Sequence, residues 1–513
     1  MNGLQQSLFP DLAGILRRLL WSGLLVLLVS TFGLTACSDN SETQSVVSED
    51  GNAELSIALT DAEGDFVSYT VDVVSLTLTK ANGTVVETLP LKTRVDFAQY
   101  TDMTEFLTIA TIPAGVYVKG SMVLDYSNAE ILVENADGQP VSVSAANIKD
   151  GDGNVVTEME MSVKLEDRTH LAILPGVPAH LSLDFDLKAS NEVVFTADVP
   201  AITVQPQLLA EVNVENHKQH RVRGPLKEVQ VDGNKFQVYI RPFFHHVARN
   251  NHRHFGVLNV ETDDETIYEI NGETYQGQTG LELMADVAQY SAVAVLGDIK
   301  HKPRRFIAKQ VYAGSGVPGG DLDVTRGSVI ARSGDVLTVK GMTFLRENGS
   351  ITFNDTVKVS IDDSTTILKA LKLGTFNKND ISVGQFVTVF GAVDGIGNDR
   401  IMNAANGYAR MEISYLRAAR VDAGEAAPYD FVINLKRING RDIAQFDFAG
   451  TGIDAANDAL ANAYEVETGA LNVSGIAVDD HVRVRGHVTP FSSAPADFDA
   501  VTVIKLPASS GSN

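Results

Sequence analysis

The sequence predicts an all-β protein built from several small modules. From Glu54 onward, apolar and polar residues alternate with a period of two, and turn signals such as Asn82-Gly83 separate Val- and Thr-rich stretches. In the second half of the chain, one strand pattern that ends in Gly occurs three times, at residues 292–297, 386–391 and 481–486. The glycines lie 94 and 95 residues apart. A period this regular is typical of a tandem array.

The order of elements in each repeat predicts a five-stranded barrel. Each unit opens with a Val-rich strand and closes with another strand after the recurrent Gly. A short helical pattern precedes the Gly strand, at 279–282 with capping-box spacing and at 454–464 in the third unit. Strands, a short helix and two further strands are the order of an OB-like β-barrel. The predicted repeats span residues 217–314, 321–408 and 409–506, with a Gly-rich linker after the first.

The region before the repeats resembles an envelope family catalogued as domain of unknown function 4382. The resemblance covers residues 54–212 and rests on three motifs, Leu59-Thr60-Asp61-Ala62, Ile112-Pro113-Ala114-Gly115-Val116-Tyr117 and Leu181-Ser182-Leu183-Asp184-Phe185-Asp186. It implies a β-sandwich of the transthyretin-like or carbohydrate-binding-module-like kind and brings no established activity with it. The repeats resemble a second family, domain of unknown function 5666, most clearly at 380–387.

The N-terminus resembles a bacterial lipoprotein signal peptide. Residues 1–36 contain the basic pair Arg17-Arg18 and an apolar stretch, and they end in Leu34-Thr35-Ala36 before Cys37, which resembles a lipobox. Cys37 is the only cysteine in 513 residues. We therefore predict lipidation of Cys37, with residues 37–53 as a disordered acidic tether. Ser38, in place of Asp, favours the outer membrane of a Gram-negative cell, with the protein either periplasmic or surface-exposed.

Composition limits the chemistry that is open to this chain. The formal net charge of −24 argues against a nucleic-acid partner, because phosphate binding depends on Lys and Arg. The only tryptophan, Trp21, lies in the predicted signal peptide, so Tyr and Phe would have to supply any sugar-stacking surface. No nucleophile elbow, phosphate loop or zinc-protease motif occurs. We predict a non-enzyme without a cofactor. The paired carboxylates of a hydrolase have no sequence motif, because their pairing is spatial, so a hydrolase stays an alternative.

Six of the 11 histidines fall in one short interval and could bind a transition metal. They are His217, His220, His245, His246, His252 and His254. Interleaved arginines such as Arg249 and Arg253 oppose a bound cation. The same interval could therefore be a solvated loop without a ligand, or a basic, pH-sensitive loop that contacts an anionic partner.

Acidic residues suggest a second, calcium-tolerant position. Asp61, with Glu63 and Asp65, follows the first strand as a calcium-tolerant edge. Asp184 and Asp186 alternate on a predicted strand and either bind a cation or simply face water. Asp61, Asp184 and Asp186 are therefore the candidate ligand or divalent-cation face. The segment Asp150-Gly151-Asp152 begins like a calcium loop but lacks the Gly and Glu that an EF-hand requires, so it predicts a β-turn.

Taken together, these features predict a lipid-anchored binding or scaffold protein of the cell envelope. Its modules would be displayed to a polysaccharide or an envelope protein. The alternatives are an envelope hydrolase that uses paired carboxylates and a metal-binding protein that uses the histidine cluster.

Overall fold

The predicted β class is confirmed in a computed structural model of the chain. The structure describes residues 51–61, 66–100, 103–135, 140–165, 171–197, 199–205, 207–212, 219–241, 254–300, 304–317, 322–345, 351–395, 401–422 and 431–506. These residues form an N-terminal sandwich followed by three barrels, with two short α-helices among the described elements.

The N-terminal region consists of two main sheets and a small third one. Its elements are β1 Asn52–Thr60, β2 Phe66–Lys80, β3 Val85–Glu87, β4 Thr93–Asp96, β5 Met103–Pro113, β6 Gly115–Glu134, β7 Pro140–Ser142, β8 Ile148–Lys149, β9 Glu158–Lys164, β10 Leu171–Ile173, β11 Ala179–Phe185, α1 Leu187–Ser190, β12 Asn191–Thr196, β13 Val199–Val204 and β14 Leu208–Val212. One sheet has the order β14-β11-β1-β5, and the other β10-β6-β2-β3, with β4 added to β2 and both β7 and β9 added to β6. Strands β12, β13 and β8 form the third sheet.

The two main sheets enclose one apolar core. Leu55 and Ile57 of β1 and Val71 and Leu76 of β2 are fully buried in it. Ser56 points to the opposite face of β1 and is buried as well, because Arg304 from the first barrel donates a hydrogen bond to its hydroxyl. Strand β1 is therefore covered on both faces.

Barrel 1 follows directly. Its elements are β15 Gln219–Gln230, β16 Lys235–Tyr239, β17 Val257–Glu261, β18 Ile267–Ile270, β19 Glu273–Gln276, α2 Gly277–Ala285, β20 Ala292–Lys300 and β21 Arg305–Ala313.

Barrels 2 and 3 complete the chain. Barrel 2 contains β22 Asp323–Ser333, β23 Val336–Leu345, β24 Ile351–Ser360, β25 Thr366–Lys369, β26 Phe386–Asp394 and β27 Ile401–Met411. Barrel 3 contains β28 Ser414–Asp422, β29 Phe431–Ile438, β30 Arg441–Asp442, β31 Tyr464–Glu467, β32 His481–Val488 and β33 Phe498–Lys505.

All three barrels close with the same pairing order. The rings are β15-β16-β17-β21-β20, β22-β23-β24-β27-β26 and β28-β29-β31-β33-β32, and each returns to its first strand. In each ring one pair of strands is parallel, namely β17 with β21, β24 with β27 and β31 with β33, while the other pairs are antiparallel. The predicted OB-like barrel is therefore confirmed in each repeat.

The recurrent glycine lies at a bulge in β20, β26 and β32, the equivalent strands of the three rings. At Gly297, Gly391 and Gly486 the register against the last strand shifts. A Cβ at Gly486 would lie 2.0 Å from the carbonyl oxygen of Asp499. The corresponding contacts at Gly297 and Gly391 are 2.2 and 2.1 Å. Glycine recurs here because the neighbouring backbone occupies the space of a side chain.

The predicted helical segments are partly wrong. In barrel 1, α2 begins at Gly277 with Gln276 as its N-cap, so Thr279 lies inside the helix and does not cap it. In barrel 3 the segment 454–464 forms turns and the single 3-10 turn Ala461–Ala463. Asp454 explains this difference, since its carboxylate accepts a hydrogen bond from the Ala456 backbone and so favours a turn over a helix.

The sandwich and barrel 1 share a sheet. Strand β5 pairs in parallel with β15, so that one 11-stranded sheet contains strands of both modules. The buried Glu105 carboxylate on β5 accepts hydrogen bonds from Arg221 and Arg223 on β15, the second at 3.0 Å. The apolar cores of the two modules are likewise continuous.

Barrels 1 and 2 meet around the Arg410 guanidinium. Its Nε donates to the Glu269 carboxylate at 2.7 Å, and its Nη2 donates to the Gly316 carbonyl oxygen at 2.6 Å. Both charged side chains are at most 4% exposed. Burial lowers the pKa of Arg410, but the facing Glu269 carboxylate outweighs burial and the net direction is upward. Burial raises the pKa of Glu269, and the charge of Arg410 acts against that rise.

Barrels 2 and 3 pack through His487 and Gln385. The His487 Nε2 lies 3.2 Å from the Ala370 carbonyl oxygen, and burial lowers the pKa of this histidine to about 3. The imidazole is therefore neutral and donates to that carbonyl. Gln385 accepts from the Val488 backbone at 3.2 Å. The contacts at both interfaces join the three barrels into a packed array.

No helix in the described part of the chain has the length and apolar character required to cross a membrane.

The bulge predicts a specific cost for a methyl group. Gly486→Ala should lower the free energy of unfolding by about 2 kcal/mol, because the new Cβ collides with backbone that cannot move away without breaking the ladder. Gly475→Ala is the matched control in the same barrel, since no atom lies within 4 Å of its added Cβ. Thermal unfolding of both variants measures the difference, and equal midpoints would contradict the proposed role of the bulge.

Candidate functional site

Several predicted site residues lie outside the part of the chain that the structure describes. They are Cys37, His217, His245, His246 and His252. Lipidation of Cys37 and a histidine metal site therefore stay predictions.

The two described histidines of the cluster occupy different places. His220 on β15 is 1% exposed and lies with its ring 6.3 Å from Phe106 and 5.9 Å from His180. His220 pairs with Thr104 of β5, whereas the residue after His254 accepts a hydrogen bond from Ile109. Five residues along one strand correspond to roughly 16 Å. Among the described residues, no group of three His, Cys, Asp or Glu side chains is placed to hold a metal.

The three predicted acidic residues come to the same end of the sandwich but serve different elements. Parallel pairing of β1 with β11 sets Thr60 beside Asp184, so Asp61 and Asp186 follow at that end. Asp61 is buried and accepts a hydrogen bond from the Leu187 backbone at 3.0 Å. Strand β11 ends at Phe185, and the Asp186 side chain caps α1. The expectation that Asp184 and Asp186 share a strand face is corrected, because Asp186 starts a helix.

The Asp150 segment forms the predicted turn. Its carboxylate accepts hydrogen bonds from the backbone of Asp152 at 3.0 Å and Asn154 at 2.8 Å. These bonds hold the segment in a tight turn.

A serine–histidine contact in the sandwich could be taken for a hydrolase pair. The Ser56 hydroxyl lies 2.8 Å from the His180 Nδ1, and the His180 Nε2 lies 3.1 Å from the Ser182 hydroxyl. All three residues are at most 4% exposed, and Arg304 also donates to Ser56. This network fastens barrel 1 to β1 and keeps the Ser56 hydroxyl away from solvent.

Among the described residues of barrel 1, a tyrosine pair forms the most exposed aromatic surface. The rings of Tyr239 and Tyr290 are stacked, with centroids 6.0 Å apart and planes 7° apart. Tyr290 is 52% exposed. The His254 ring lies 4.7 Å from Tyr239 at a tilt of 39°. We call Tyr239, Tyr290 and His254 the aromatic platform.

Cationic and amide side chains border the platform. The Lys227 Nζ lies 6.0 Å from the Tyr239 ring centroid and donates to Gln237 at 2.6 Å. Gln237 in turn donates to Asn259 at 2.6 Å. Burial lowers the pKa of His254, and the charges of Arg241 and Lys227 act in the same direction. His254 is therefore neutral at pH 7 and presents an aromatic face, while the lysine and arginine carry the positive charge.

Local folding places these residues on the outer face of the first three strands. Phe236 and Val238 point into the core, so Gln237 and Tyr239 on alternate positions point outward. Gly224 permits the backbone of β15 to approach the end of β16 closely, since a Cβ at Gly224 would lie 1.8 Å from the Tyr239 carbonyl oxygen. Tyr290 comes from the loop before β20, where its backbone donates to the Leu226 carbonyl at 2.8 Å.

The Tyr290 backbone has a left-handed φ of +69°. Such a conformation is unfavourable for a bulky residue and is usually occupied by Gly or Asn. A tyrosine held in a strained conformation and largely exposed is typical of a functional position.

Sequence reasoning found His254 but missed the tyrosines. Tyr239 and Tyr290 are 51 residues apart and belong to no motif. The absence of tryptophan after Trp21 was the one available signal, since it transferred any stacking role to Tyr and Phe.

Comparison with known proteins identifies the sandwich only. Residues 52–206 match the family described as Domain of unknown function (DUF4382), in agreement with the resemblance noted above. The match ends before barrel 1, so the aromatic platform lies outside it. No curated protein matches the chain.

The strained backbone at Tyr290 predicts an unusual order of stabilities. Tyr290→Gly should be more stable than Tyr290→Ala by about 1 kcal/mol, because glycine adopts a positive φ without cost. Thermal unfolding of both variants measures this difference. An alanine variant as stable as the glycine variant would show that the loop relaxes and that no strain is stored at this position.

Proposed function

We propose that this protein is a lipid-anchored, non-catalytic binding protein of the bacterial cell envelope that uses the aromatic platform of barrel 1 to hold a polysaccharide. Cys37 supplies the anchor and the outer membrane is the proposed location. The sandwich and the barrels supply a packed support for the platform. We also propose that the barrels belong with the domain of unknown function 5666 family that they resemble.

The observation that carries the proposal is the exposed tyrosine stack beside hydrogen-bonding amides. A sugar ring presents an apolar face and a rim of hydroxyl groups. Tyr290 offers an accessible aromatic face, and the side chains of Gln237 and Asn259 offer donors and acceptors next to it. The outer face of the second and third strands is also where OB-like barrels bind extended ligands.

Charge around the platform favours an acidic polysaccharide over a neutral one. Lys227 and Arg241 lie beside the platform in a chain whose formal net charge is −24. Most of this protein repels an anionic chain, so a local pair of cations concentrates the ligand at one position. A polyuronate combines the ring faces and carboxylates that these side chains fit.

The packed array determines how the modules would be displayed to a ligand. Barrel 1 is joined to the sandwich by a shared sheet and to barrel 2 through Arg410. Independent swinging modules would gain affinity by avidity, whereas a packed array holds each surface in a fixed orientation. We therefore propose that one extended chain of sugar binds to one surface.

Alginate, a polyuronate, and dextran, a neutral polysaccharide, test the proposal. In affinity electrophoresis the purified protein should bind alginate more strongly than dextran. Tyr290→Ala should weaken alginate binding about tenfold, since covering roughly 60 Å² of ring contributes about 1.5 kcal/mol at ~25 cal/mol per Å².

Tyr415→Ala is the matched control. Tyr415 is a half-buried tyrosine on barrel 3 with the Arg485 guanidinium 5.1 Å from its ring, and it lies away from the platform. It should bind alginate like the unsubstituted protein. Equal losses in both variants, or no retardation by either polysaccharide, would contradict a glycan site on barrel 1.

The proposed anchor has its own test. Cys37→Ala should abolish incorporation of labelled palmitate in growing cells, while Ser38→Ala should leave it unchanged, because only the thiol receives the lipid. Ser38→Asp should retain the label and move the protein from the outer-membrane to the inner-membrane fraction. Labelling of the Cys37→Ala variant would refute the anchor.

A further inference from the structure

Arginine side chains gather where the sandwich, barrel 1 and barrel 2 meet. Arg221 and Arg223 lie on the same face of β15, since Val222 between them points into the core. Both donate through Nε to the Glu105 carboxylate. Arg326 on β22 of barrel 2 lies near enough for its charge to act on Arg221. We call Arg221, Arg223 and Arg326 the junction arginines.

The register of the two barrels brings these side chains together. In barrel 1, Arg223 pairs with Ala294, which pairs with Tyr312. In barrel 2, the equivalent row is Arg326, Thr388 and Arg410. Residues in one cross-strand row point to the same face of a sheet. The Arg410 guanidinium lies 4.0 Å from the Tyr312 ring, so the two rows face one another.

Positive charge at this junction exceeds the negative charge that the described residues set against it. Arg221 is 7% exposed, and its Nη2 is buried without a hydrogen-bond partner. Arg326 lies 4.8 Å from the Phe386 ring and forms no ion pair within the described chain. Burial and the like charges of Arg223 and Arg326 lower the pKa of Arg221 to about 10, against the opposite effect of Glu105. The guanidinium therefore remains charged at neutral pH.

Buried cations are retained in proteins when they are paired. Glu105 already accepts one bond from each of two guanidiniums, so it does not reach the free edge of Arg221. The Tyr312 hydroxyl, also buried in this region, has no partner among the described residues either. The carboxylates at the junction are those of Glu105, Glu269 and Glu412, three against the four guanidiniums of Arg221, Arg223, Arg326 and Arg410, so one positive charge is left without a counter-charge among them.

We propose that the junction arginines bind a small oxyanion, a phosphate or a carboxylate, between Arg221 and Arg326. Arginine presents a planar fork of donors that matches both groups. The bound anion removes the repulsion between barrels 1 and 2 and fastens them to the sandwich. The site is separate from the aromatic platform and does not depend on a polysaccharide ligand.

Calorimetric unfolding of the full-length protein in inorganic phosphate, in citrate and in sodium chloride of equal ionic strength tests this site. Phosphate, citrate or both should raise the unfolding midpoint in a saturable way by about 2–4 °C over chloride. A rise in phosphate alone identifies a phosphate site, and a rise in citrate alone identifies a carboxylate site. No rise in either anion would overturn the proposal.

Arg326→Gln distinguishes an anion site from a merely structural arginine. In chloride this variant should unfold at the same temperature or higher, because it removes a repelling charge, and its affinity for the anion should fall at least tenfold. A variant that is less stable in chloride by the same amount as in phosphate would refute the site. Arg305→Gln is the control, since Arg305 pairs with Glu261 on the surface at 2.9 Å and should respond to the anion normally.

Discussion

The parallel pairing of β5 with β15 is the contact on which the rest of this structure depends. It joins β5, an edge strand of the sandwich sheet, to β15, the first strand of barrel 1. The buried Glu105 carboxylate fixes the register because it binds both Arg221 and Arg223. A buried carboxylate between two guanidiniums tolerates no slip of one residue, because a slip would turn both arginines to the other face. Everything that lies beyond β15 inherits its position from this junction.

The barrels repeat one solution to a packing problem. A five-stranded ring requires a sharp change of direction in its fourth strand, and the bulge at Gly297, Gly391 or Gly486 provides it. Between barrels 1 and 2, the outer row of one ring meets the equivalent row of the other, as Tyr312 and Arg410 show. Barrels 2 and 3 meet instead through His487 and Gln385, so the fold recurs while the interface between neighbouring barrels differs.

Two surfaces of barrel 1 differ in how far their polar groups are exposed to solvent. At the aromatic platform, Tyr290 is exposed and strained, and its neighbours keep their polar atoms near solvent. At the junction, Arg221 is buried with an unsatisfied Nη2. Exposed aromatic rings suit a large ligand that comes from solution, whereas buried guanidiniums suit a small ion that becomes part of the structure. One barrel can serve both because its surfaces are covered to different extents.

The sequence by itself determined the β class, the repeat period and the positions of the bulge glycines, since these depend on local alternation and on steric demands of single residues. It also indicated the sandwich through its motifs. Only the tertiary structure decided that the modules share a sheet, that Asp186 caps a helix, and which distant side chains meet. Tyr239 meets Tyr290, and Arg410 meets Glu269, through strand pairings that no local pattern encodes, because each contact depends on how entire rings close and stack.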